Sequence, residues 1–308
     1  MILTVTLNTA LDITYTVGAL TPHTSHRVGE VTERPGGKGL NVARVLSALG
    51  HESVVTGFAG GPVGEVLRGL LAPLPPRDAL VPTAGGTRRT IAVVDSATGD
   101  TTQLNEPGPV VAPEEWAAFL ERYAALLRDA DAVALCGSLP PGIHVGAYAE
   151  LVRRARAAGV PVLLDTSGEP LRRGVAARPD LVKPNAEELA RLTGAREPLR
   201  AARDARRRGA RTVVASLGPD GLLAAGPDGV WQAALPEPVR GNPTGAGDSA
   251  VAALLAGAVE GLPRSECLAR AVALSAATVL APAAGEFDRE AYERLLPRVR
   301  VTERPGPA

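Results

Sequence analysis

Residues 241–257 read GNPTGAGDSAVAALLAG, with three glycines in the first seven residues, an aspartate and then a run of small apolar residues. This order predicts a loop that leads into a helix, with the glycine-rich turn at the helix N-terminus. The first amides of a helix lack intrahelical acceptors and the helix dipole adds positive charge, so this turn suits a phosphate. Asp248 would repel a bound phosphate, but it can act as a base on a nucleophile that approaches the phosphate.

The same segment also allows a plainer interpretation, in which the glycines are ordinary loop residues and Thr244 or Asp248 caps the helix. It is not a Walker A motif, because no Gly-Lys-Ser/Thr follows. The chain also lacks an early Gly-x-Gly-x-x-Gly, which argues against a dinucleotide enzyme. The rest of the chain has to decide between a phosphate site and a capped helix.

The composition of the 308-residue chain is typical of a soluble globular protein, with 45% hydrophobic and 21% charged residues. Lys plus Arg and Asp plus Glu both number 33, which gives no reason to expect a nucleic acid or an anionic membrane as a partner. Cys136 and Cys267 form no metal-ligand spacing, and we expect Cys136 to be a buried free thiol. The N-terminus resembles a strand rather than a signal peptide, and no apolar run suits a membrane span, so we expect a cytoplasmic protein.

Strand and helix patterns alternate from residue 113 onward, which predicts a parallel sheet with helices on both faces. We therefore predict a single α/β domain over residues 1–308, built on a doubly wound, mostly parallel sheet. The β-rich stretches at about 12–32 and 78–105 do not fit the alternation, and we predict that they form a small β lid over the strand ends. Residues 25–32 are predicted to be a strand of this lid, and residues 303–308 a frayed end.

Two glycine motifs, GGKGLN at residues 36–41 and GAGDS at residues 245–249, have the order and separation of the two signatures of the ribokinase-like, or PfkB, carbohydrate kinases. The chain also resembles the 1-phosphofructokinase and tagatose-6-phosphate kinase branch in TLNTALD (6–12), TRRTIAVV (87–94), LNEPGP (104–109), GSLPPG (137–142), LDTSG (164–168), KPNAEEL (183–189) and SLGPDG (216–221). Together these motifs cover nearly the whole chain. The resemblance implies a ribokinase-like fold and ATP-dependent phosphorylation of a sugar, with Mg²⁺.

The resemblance places catalysis at the glycine turn of residues 245–249. In similar kinases the residue that matches Asp248 takes the proton from the sugar hydroxyl that attacks the γ-phosphate. The amides of Gly245, Ala246 and Gly247 would hold the transferring phosphate. Little other acid–base chemistry is needed, because phosphoryl transfer depends mostly on positioning and charge stabilisation.

The resemblance also implies a nucleotide site formed by segments that are distant in the sequence. Its expected residues are Lys183 near the triphosphate, Asn185, Ser216, Gly218 and Gly221 along one side, and Asn242 and Ser275 beside the purine. The spacing N-x-x-E puts Asn185 at a strand end and Glu188 on the next helical turn, where an amide and a carboxylate can hold a hydrated Mg²⁺. The pair also fits a capping box, both roles can hold together, and the glycines also suit simple turns.

The sugar would lie near the first glycine motif. The resemblance implies that Asp12, Gly37, Lys38 and Asn41 bind its hydroxyls, since a carboxylate and an amide supply acceptors and donors. Its own phosphate would be held by Arg88 and Ser138, with Arg27 contributing from a lid strand, because the arginine fork suits phosphate. Asp12, Lys38 and any single arginine also have a simpler interpretation as solvated surface residues.

Three positions depart from the usual 1-phosphofructokinase pattern, and the first is Thr9, where many such enzymes have the proline of Asn-Pro-Ala-Leu-Asp. After the arginine such enzymes often carry an Asn and then a Lys, whereas this chain has Thr90 and Ala92 at those places. The pair Ile91–Ala92 is more similar to tagatose-6-phosphate kinases. We therefore predict a kinase of a phosphorylated ketohexose, similar to 1-phosphofructokinase. The alternatives are a tagatose-6-phosphate kinase or 6-phosphofructokinase, a kinase of an unphosphorylated sugar or nucleoside, and a non-catalytic sugar sensor. By analogy, we expect a homodimer formed through the lid.

Overall fold

A mixed sheet runs through the protein in the computed structural model, which describes residues 1–281 and 283–304. Its eleven strands are β1 (Ile2–Thr6), β4 (Ser53–Ala59), β5 (Arg77–Asp78), β6 (Val81–Pro82), β9 (Ala132–Cys136), β10 (Val162–Asp165), β11 (Leu181–Val182), β12 (Thr212–Ser216), β13 (Leu222–Gly226), β14 (Gly229–Ala234) and β15 (Arg300–Arg304). Their order is β15-β14-β13-β12-β11-β10-β9-β1-β4-β5, and β6 pairs with β4. The strands from β12 to β5 pair in parallel, whereas β13, β14 and β15 form an antiparallel edge.

Helices cover both faces of this sheet, because its central strands are apolar on both sides. The helices are α1 (Lys38–Ala48), α2 (Gly61–Leu71), α3 (Pro113–Leu127), α4 (Ala147–Ala157), α5 (Gly168–Ala176), α6 (Ala186–Thr193), α7 (Pro198–Arg207), α8 (Ala246–Val259), α9 (Arg264–Val279) and α10 (Arg289–Leu295). One apolar cluster joins the sheet to α3, α4 and α5, and another joins it to α1, α8 and α9. The predicted doubly wound α/β fold is confirmed. Among helices in the described ranges, none is both long and apolar enough to cross a membrane.

Helix α8 is buried along most of its length, because its residues are small enough for neighbouring helices to approach closely. It packs against α1 on one side and α9 on the other. At Gly257 a Cβ would lie 2.6 Å from the Cys267 sulfur, so only glycine fits this contact. The packing fixes the N-terminus of α8 at the strand ends of the sheet, beside the start of α1.

A second sheet holds four strands, β2 (Ala10–Val17), β3 (Glu30–Gly36), β7 (Arg88–Asp95) and β8 (Thr101–Asn105), in the order β3-β2-β7-β8. The strand expected at residues 25–32 is wrong in position, since β3 begins at Glu30 and includes Pro35. Proline is tolerated there because β3 is an edge strand, which does not need every amide for pairing. Of the segment 78–105 expected in this sheet, Asp78 lies in β5 and Val81–Pro82 form β6, and both strands pair with β4 of the main sheet instead.

The expectation of a frayed end at residues 303–308 is wrong for its first two residues. Glu303 and Arg304 belong to β15, which pairs with β14 at the edge of the main sheet. The strand is mostly exposed and charged, so its sequence carries little of the apolar alternation from which a strand is predicted. Residues 305–308 lie outside the described part of the chain.

Candidate active site

The glycine turn begins α8 without a side-chain cap, so neither Thr244 nor Asp248 is the N-cap. The N-cap is Gly245, whose φ of 85° lies in the left-handed region. A Cβ there would also lie 2.8 Å from the Cα of Ala284, which makes glycine necessary on two grounds. The Ala246 amide donates to the carbonyl of Pro243 at 3.2 Å. In residues 1–281 and 283–304, the amides of Gly247 and Asp248 have no acceptor, so these two amides can hold an anion.

Asp248 lies on the first turn of α8 and is buried. The side-chain amide of Asn41, on α1, donates to its Oδ2 at 2.9 Å. Burial raises the pKa of Asp248 to about 6, against the opposing effect of the nearby Lys38 ammonium. Asp165 raises the pKa further, while Asn41 and Lys183 lower it. A carboxylate with a pKa near neutrality is well matched to proton abstraction.

Two lysines meet a second buried carboxylate close to Asp248. The Lys38 ammonium donates to Asp165 Oδ1 at 3.1 Å, and the Lys183 ammonium lies 3.7 Å from Asp165 Oδ2. The Lys183 ammonium is also next to Gly247, since a Cβ on that glycine would lie 3.4 Å from it. Sequence reasoning assigned roles to both lysines but none to Asp165, although Asp165 belongs to the quoted segment LDTSG.

The predicted sugar residues Asp12, Gly37 and Arg88 lie where the small sheet meets the start of α1. The Asp12 carboxylate accepts hydrogen bonds from the hydroxyl of Thr90 and from the Gly37 backbone. Burial raises the pKa of Asp12, although these bonds and the Arg88 charge lower it. A Cβ on Gly36 would lie 2.0 Å from the Asp12 side chain, which explains the first glycine of the GGKGLN motif.

Asn8, which follows β1, links the two residues predicted to hold the phosphate of the sugar. Its backbone carbonyl accepts from Arg88 Nε at 3.3 Å, and its side-chain amide donates to Ser138 Oγ at 3.1 Å. Arg88 Nη1 also donates to the carbonyl of Glu106 at 3.1 Å. Burial lowers the pKa of Arg88, with Asp12 acting in the opposite direction. Sequence reasoning gave Asn8 no role, because the contact depends on residues that are distant in the chain.

A cavity of about 870 Å³ lies on the other side of the α8 N-terminus. Of the predicted nucleotide residues, Asn185, Ser216, Gly218, Gly221 and Ser275 line it, together with Ala246 and Gly247 from the glycine turn. Its apolar wall consists of Leu222, Leu235, Val239, Val272 and Val279. This volume and lining are typical of a site for a nucleotide-sized ligand.

Three further predicted residues, Asn242, Ser275 and Arg27, do not all line the expected sites. Asn242 is exposed and does not line the cavity, and its side chain accepts from the Thr244 amide at 3.0 Å. Ser275 lines the cavity and donates to the carbonyl of Ala246 at 2.8 Å, so it holds the glycine turn. Arg27 is exposed in the loop before β3 and does not lie on a strand, contrary to expectation.

The predicted metal ligands form the capping box that was their alternative interpretation. The side-chain oxygen Oδ1 of Asn185 accepts from the backbone amide of Glu188 at 2.8 Å. In return, Oε2 of Glu188 accepts from the backbone amide of Asn185 at 2.9 Å. In the described part of the chain, no group of three or more His, Cys, Asp and Glu residues could hold a metal ion. These two side chains could therefore supply only part of a coordination shell.

Comparison with known protein families gives a match over residues 5–290 to the family described as pfkB family carbohydrate kinase. The chain belongs to this family. Because the match covers nearly the whole chain, the predicted family and the predicted sugar kinase activity are confirmed. The two glycine motifs of this PfkB family member are the turns that begin α1 and α8 in the structure.

Solved structures give the same result. Phosphofructokinase-2 from Escherichia coli, in complex with fructose-6-phosphate, is 30% identical with a TM-score of 0.89, over 96% of this chain and 98% of that one. A protein from Thermotoga maritima described as a possible 1-phosphofructokinase is 30% identical with a TM-score of 0.90, over 99% and 100% of the chains. Ribokinase from Arabidopsis thaliana, at 22% identity and a TM-score of 0.72 over 96% and 98% of the chains, shares the fold.

Proposed function

We propose that this PfkB kinase transfers the γ-phosphoryl group of ATP to a hydroxyl of a phosphorylated ketohexose, with Asp248 as the general base. The observation that carries the proposal is the position of Asp248. Its carboxylate is buried between the cavity lined by Ala246 and Gly247 and the cluster that holds Asn41 and Lys38. A base there is in reach of both substrates, because one lies on each side of the α8 N-terminus.

The proposed reaction is an in-line displacement. Asp248 takes the proton of the sugar hydroxyl, whose oxygen forms a bond to the γ-phosphorus as the bond to the β,γ-bridging oxygen breaks. The electron pair of that bond leaves with ADP, and the proton stays on Asp248 until it passes to solvent. The amides of Gly247 and Asp248, with the ammonium groups of Lys38 and Lys183, would stabilise the charge on the transferring phosphoryl group.

We propose that Asn185 and Glu188 hold Mg²⁺ from the N-terminus of α6. Asn185 lines the nucleotide cavity, and the carboxylate of Glu188 keeps lone pairs beyond the one used for capping. Two oxygen donors fit Mg²⁺, which keeps several waters and binds substrate phosphates. When bound, the ion would neutralise charge on the phosphates of ATP.

The substrate class rests on Arg88 and Ser138. Arg88 uses Nε and Nη1 for backbone carbonyls, which leaves the other donors of its fork for an anion. Ser138 is exposed at the end of β9 and is held by Asn8 beside Arg88. The relative solved with fructose-6-phosphate and the possible 1-phosphofructokinase both support a phosphorylated hexose. The choice between 1-phosphofructokinase, 6-phosphofructokinase and tagatose-6-phosphate kinase activity stays open at Thr90 and Ala92.

The variant Arg88→Ala tests this substrate class. A hydrogen bond to a charged group contributes about 1.5–3 kcal/mol, so losing the arginine should lower kcat/KM for phosphorylated sugars by about 10- to 200-fold. It should hardly change kcat/KM for free sugars. Arg89→Ala is the matched control, because Arg89 is the next residue on β7 and its exposed side chain pairs with Glu106 rather than facing the sugar site. Equal losses for phosphorylated and free sugars in the coupled ADP assay would favour a kinase of unphosphorylated sugars or nucleosides.

A homodimer would form through the small sheet, whose Val31 and Leu104 point to one face by strand register and are both exposed. Leu104→Asp would then give a monomer in sedimentation analysis, and an unchanged dimer would place the interface elsewhere. A cytoplasmic location stays a prediction from the sequence.

A further inference from the structure

Asp165 is a buried carboxylate to which the proposed reaction assigns no role. It is the last residue of β10, and its side chain is 1% exposed. The end of a parallel strand is where ligands gather in such sheets, and here it faces the α8 N-terminus. Lys38 reaches it from α1, and Lys183 reaches it from the segment after β11.

The bonds of Asp165 are incomplete. Its Oδ1 accepts from Lys38, but its Oδ2 has no hydrogen-bond partner in residues 1–281 and 283–304, and the Lys183 ammonium is 3.7 Å away. A buried carboxylate that kept only a structural role would be expected to satisfy both oxygens. Asp165 and the ionised Asp248 together match the charge of the two ammonium groups, and Asp165 is the carboxylate within 4 Å of both of them.

We propose that Asp165 is a positioning residue, which holds the ammonium groups of Lys38 and Lys183 beside the glycine turn of α8, where the phosphoryl group transfers. The inference rests on the proposed role of that turn. Lys183 has a buried side chain and lies against Gly247, so its ammonium has little freedom to move. The Lys38 side chain is 42% exposed, and Asp165 is the group that keeps it directed inward.

This role predicts a change in turnover rather than in substrate binding. In Asp165→Asn, the ammonium groups lose the charge that orients them, so kcat should fall by about 10- to 100-fold, the effect of a misplacement near 1 Å. KM for the phosphorylated sugar should change less than kcat, because Arg88, the proposed phosphate ligand, is held by the carbonyls of Asn8 and Glu106 and not by Asp165. A merely structural role would lower the folded fraction and leave the kcat of the folded protein unchanged.

The pH profile supplies a second readout. The charged groups that face Asp248 are Lys38 from α1, Asp165 from β10 and Lys183 from the segment after β11. Removal of the negative charge of Asp165 makes ionisation of Asp248 easier, whereas both lysines keep their charge. The acid limb of the pH profile, which is the fall in kcat at low pH, should therefore move to lower pH in Asp165→Asn. A structural defect alone would leave that limb in place.

Asp180→Asn is the matched control, because Asp180 accepts from the Val162 amide at the opposite end of the same strand. It should leave kcat and the acid limb unchanged. If Asp165→Asn fails to fold, Lys38→Met is compared with Lys38→Met/Asp165→Asn, which removes both charges of the pair. The acid limb of the double variant should again lie at lower pH than that of the single variant.

The proposal is overturned if Asp165→Asn keeps kcat within about threefold of the parent, or if the acid limb stays in place in whichever comparison folds. Asp248→Asn is assayed in parallel. If Asp248→Asn keeps its turnover, the proposed base is wrong. If Asp248→Asn loses turnover and Asp165→Asn does not, only the positioning role of Asp165 is wrong.

Discussion

The exchange Asp248→Asn should abolish turnover and stabilise the protein in the same step. The amide keeps the shape of the carboxylate and can still accept from Asn41, but it cannot take a proton from the sugar. Loss of a general base costs about 10²- to 10⁴-fold in rate. ATP binding should survive, because the cavity is lined by other residues.

The stability gain follows from the raised pKa of Asp248, from 3.8 to about 6. Between these values the folded state binds more protons than the unfolded state, so stability falls as pH rises through this window. Above pH 6 the ionised Asp248 costs roughly 3 kcal/mol relative to a neutral side chain. Asp248→Asn should therefore gain up to roughly that amount at pH 8, and the gain should shrink toward pH 4.

Urea unfolding of the parent and the variant from pH 4 to 8 measures this difference, and the coupled ADP assay measures turnover. In the parent, kcat should fall below about pH 6 as Asp248 becomes protonated. Turnover of Asp248→Asn within about threefold of the parent would refute the assignment of the base. A stability difference that does not vary with pH would refute the raised pKa.

Two other substitutions test neighbouring parts of the site. Glu188→Gln should raise the Mg²⁺ concentration that gives half-maximal rate. Thermal stability should be kept, because glutamine can still close the capping box. An unchanged Mg²⁺ dependence would leave Glu188 with only the capping role. Gly245→Ala should destabilise the protein more than Gly261→Ala. Both glycines have a positive φ, but only a Cβ on residue 245 would meet the backbone of Ala284. Equal losses in the free energy of urea unfolding would contradict this packing.

Sequence predicts best the helices and strands that have a clear apolar periodicity or are bounded by proline and glycine. The helix Pro113–Leu127 and the strand Ala132–Cys136 lie where the pattern predicted them, because their apolar faces are buried in one core. The strand Glu30–Gly36 lies later in the chain than the strand predicted at residues 25–32, because a proline followed by glycines is typical of a turn and hides the end of the strand. In the structure the missing side chain of Gly36 makes room for Asp12 on the neighbouring strand, a reason that no local pattern reveals.

Sequence predicts the site residues that belong to recognisable motifs. It does not reveal residues whose role depends on contacts between distant parts of the chain. Asn41 and Asp248 were both named from motifs, and the hydrogen bond between them appears only once α1 and α8 pack together. The importance of Asp165 depends on Lys38 and Lys183, which reach it from different elements. Sequence gives the chemical type of such a residue but not the charges that surround it.

A panel of substrates, assayed with the parent protein, tests directly whether the enzyme phosphorylates a phosphorylated ketohexose. ADP formation from ATP is followed with fructose 1-phosphate, fructose 6-phosphate and tagatose 6-phosphate, and with fructose, tagatose, ribose and adenosine. The proposed function requires that one of the phosphorylated ketohexoses has a kcat/KM at least about 10-fold above that of every unphosphorylated compound. One charged hydrogen bond to Arg88 sets this lower bound. A preference for a free sugar or for adenosine, or no ADP from any compound, would contradict the proposed function.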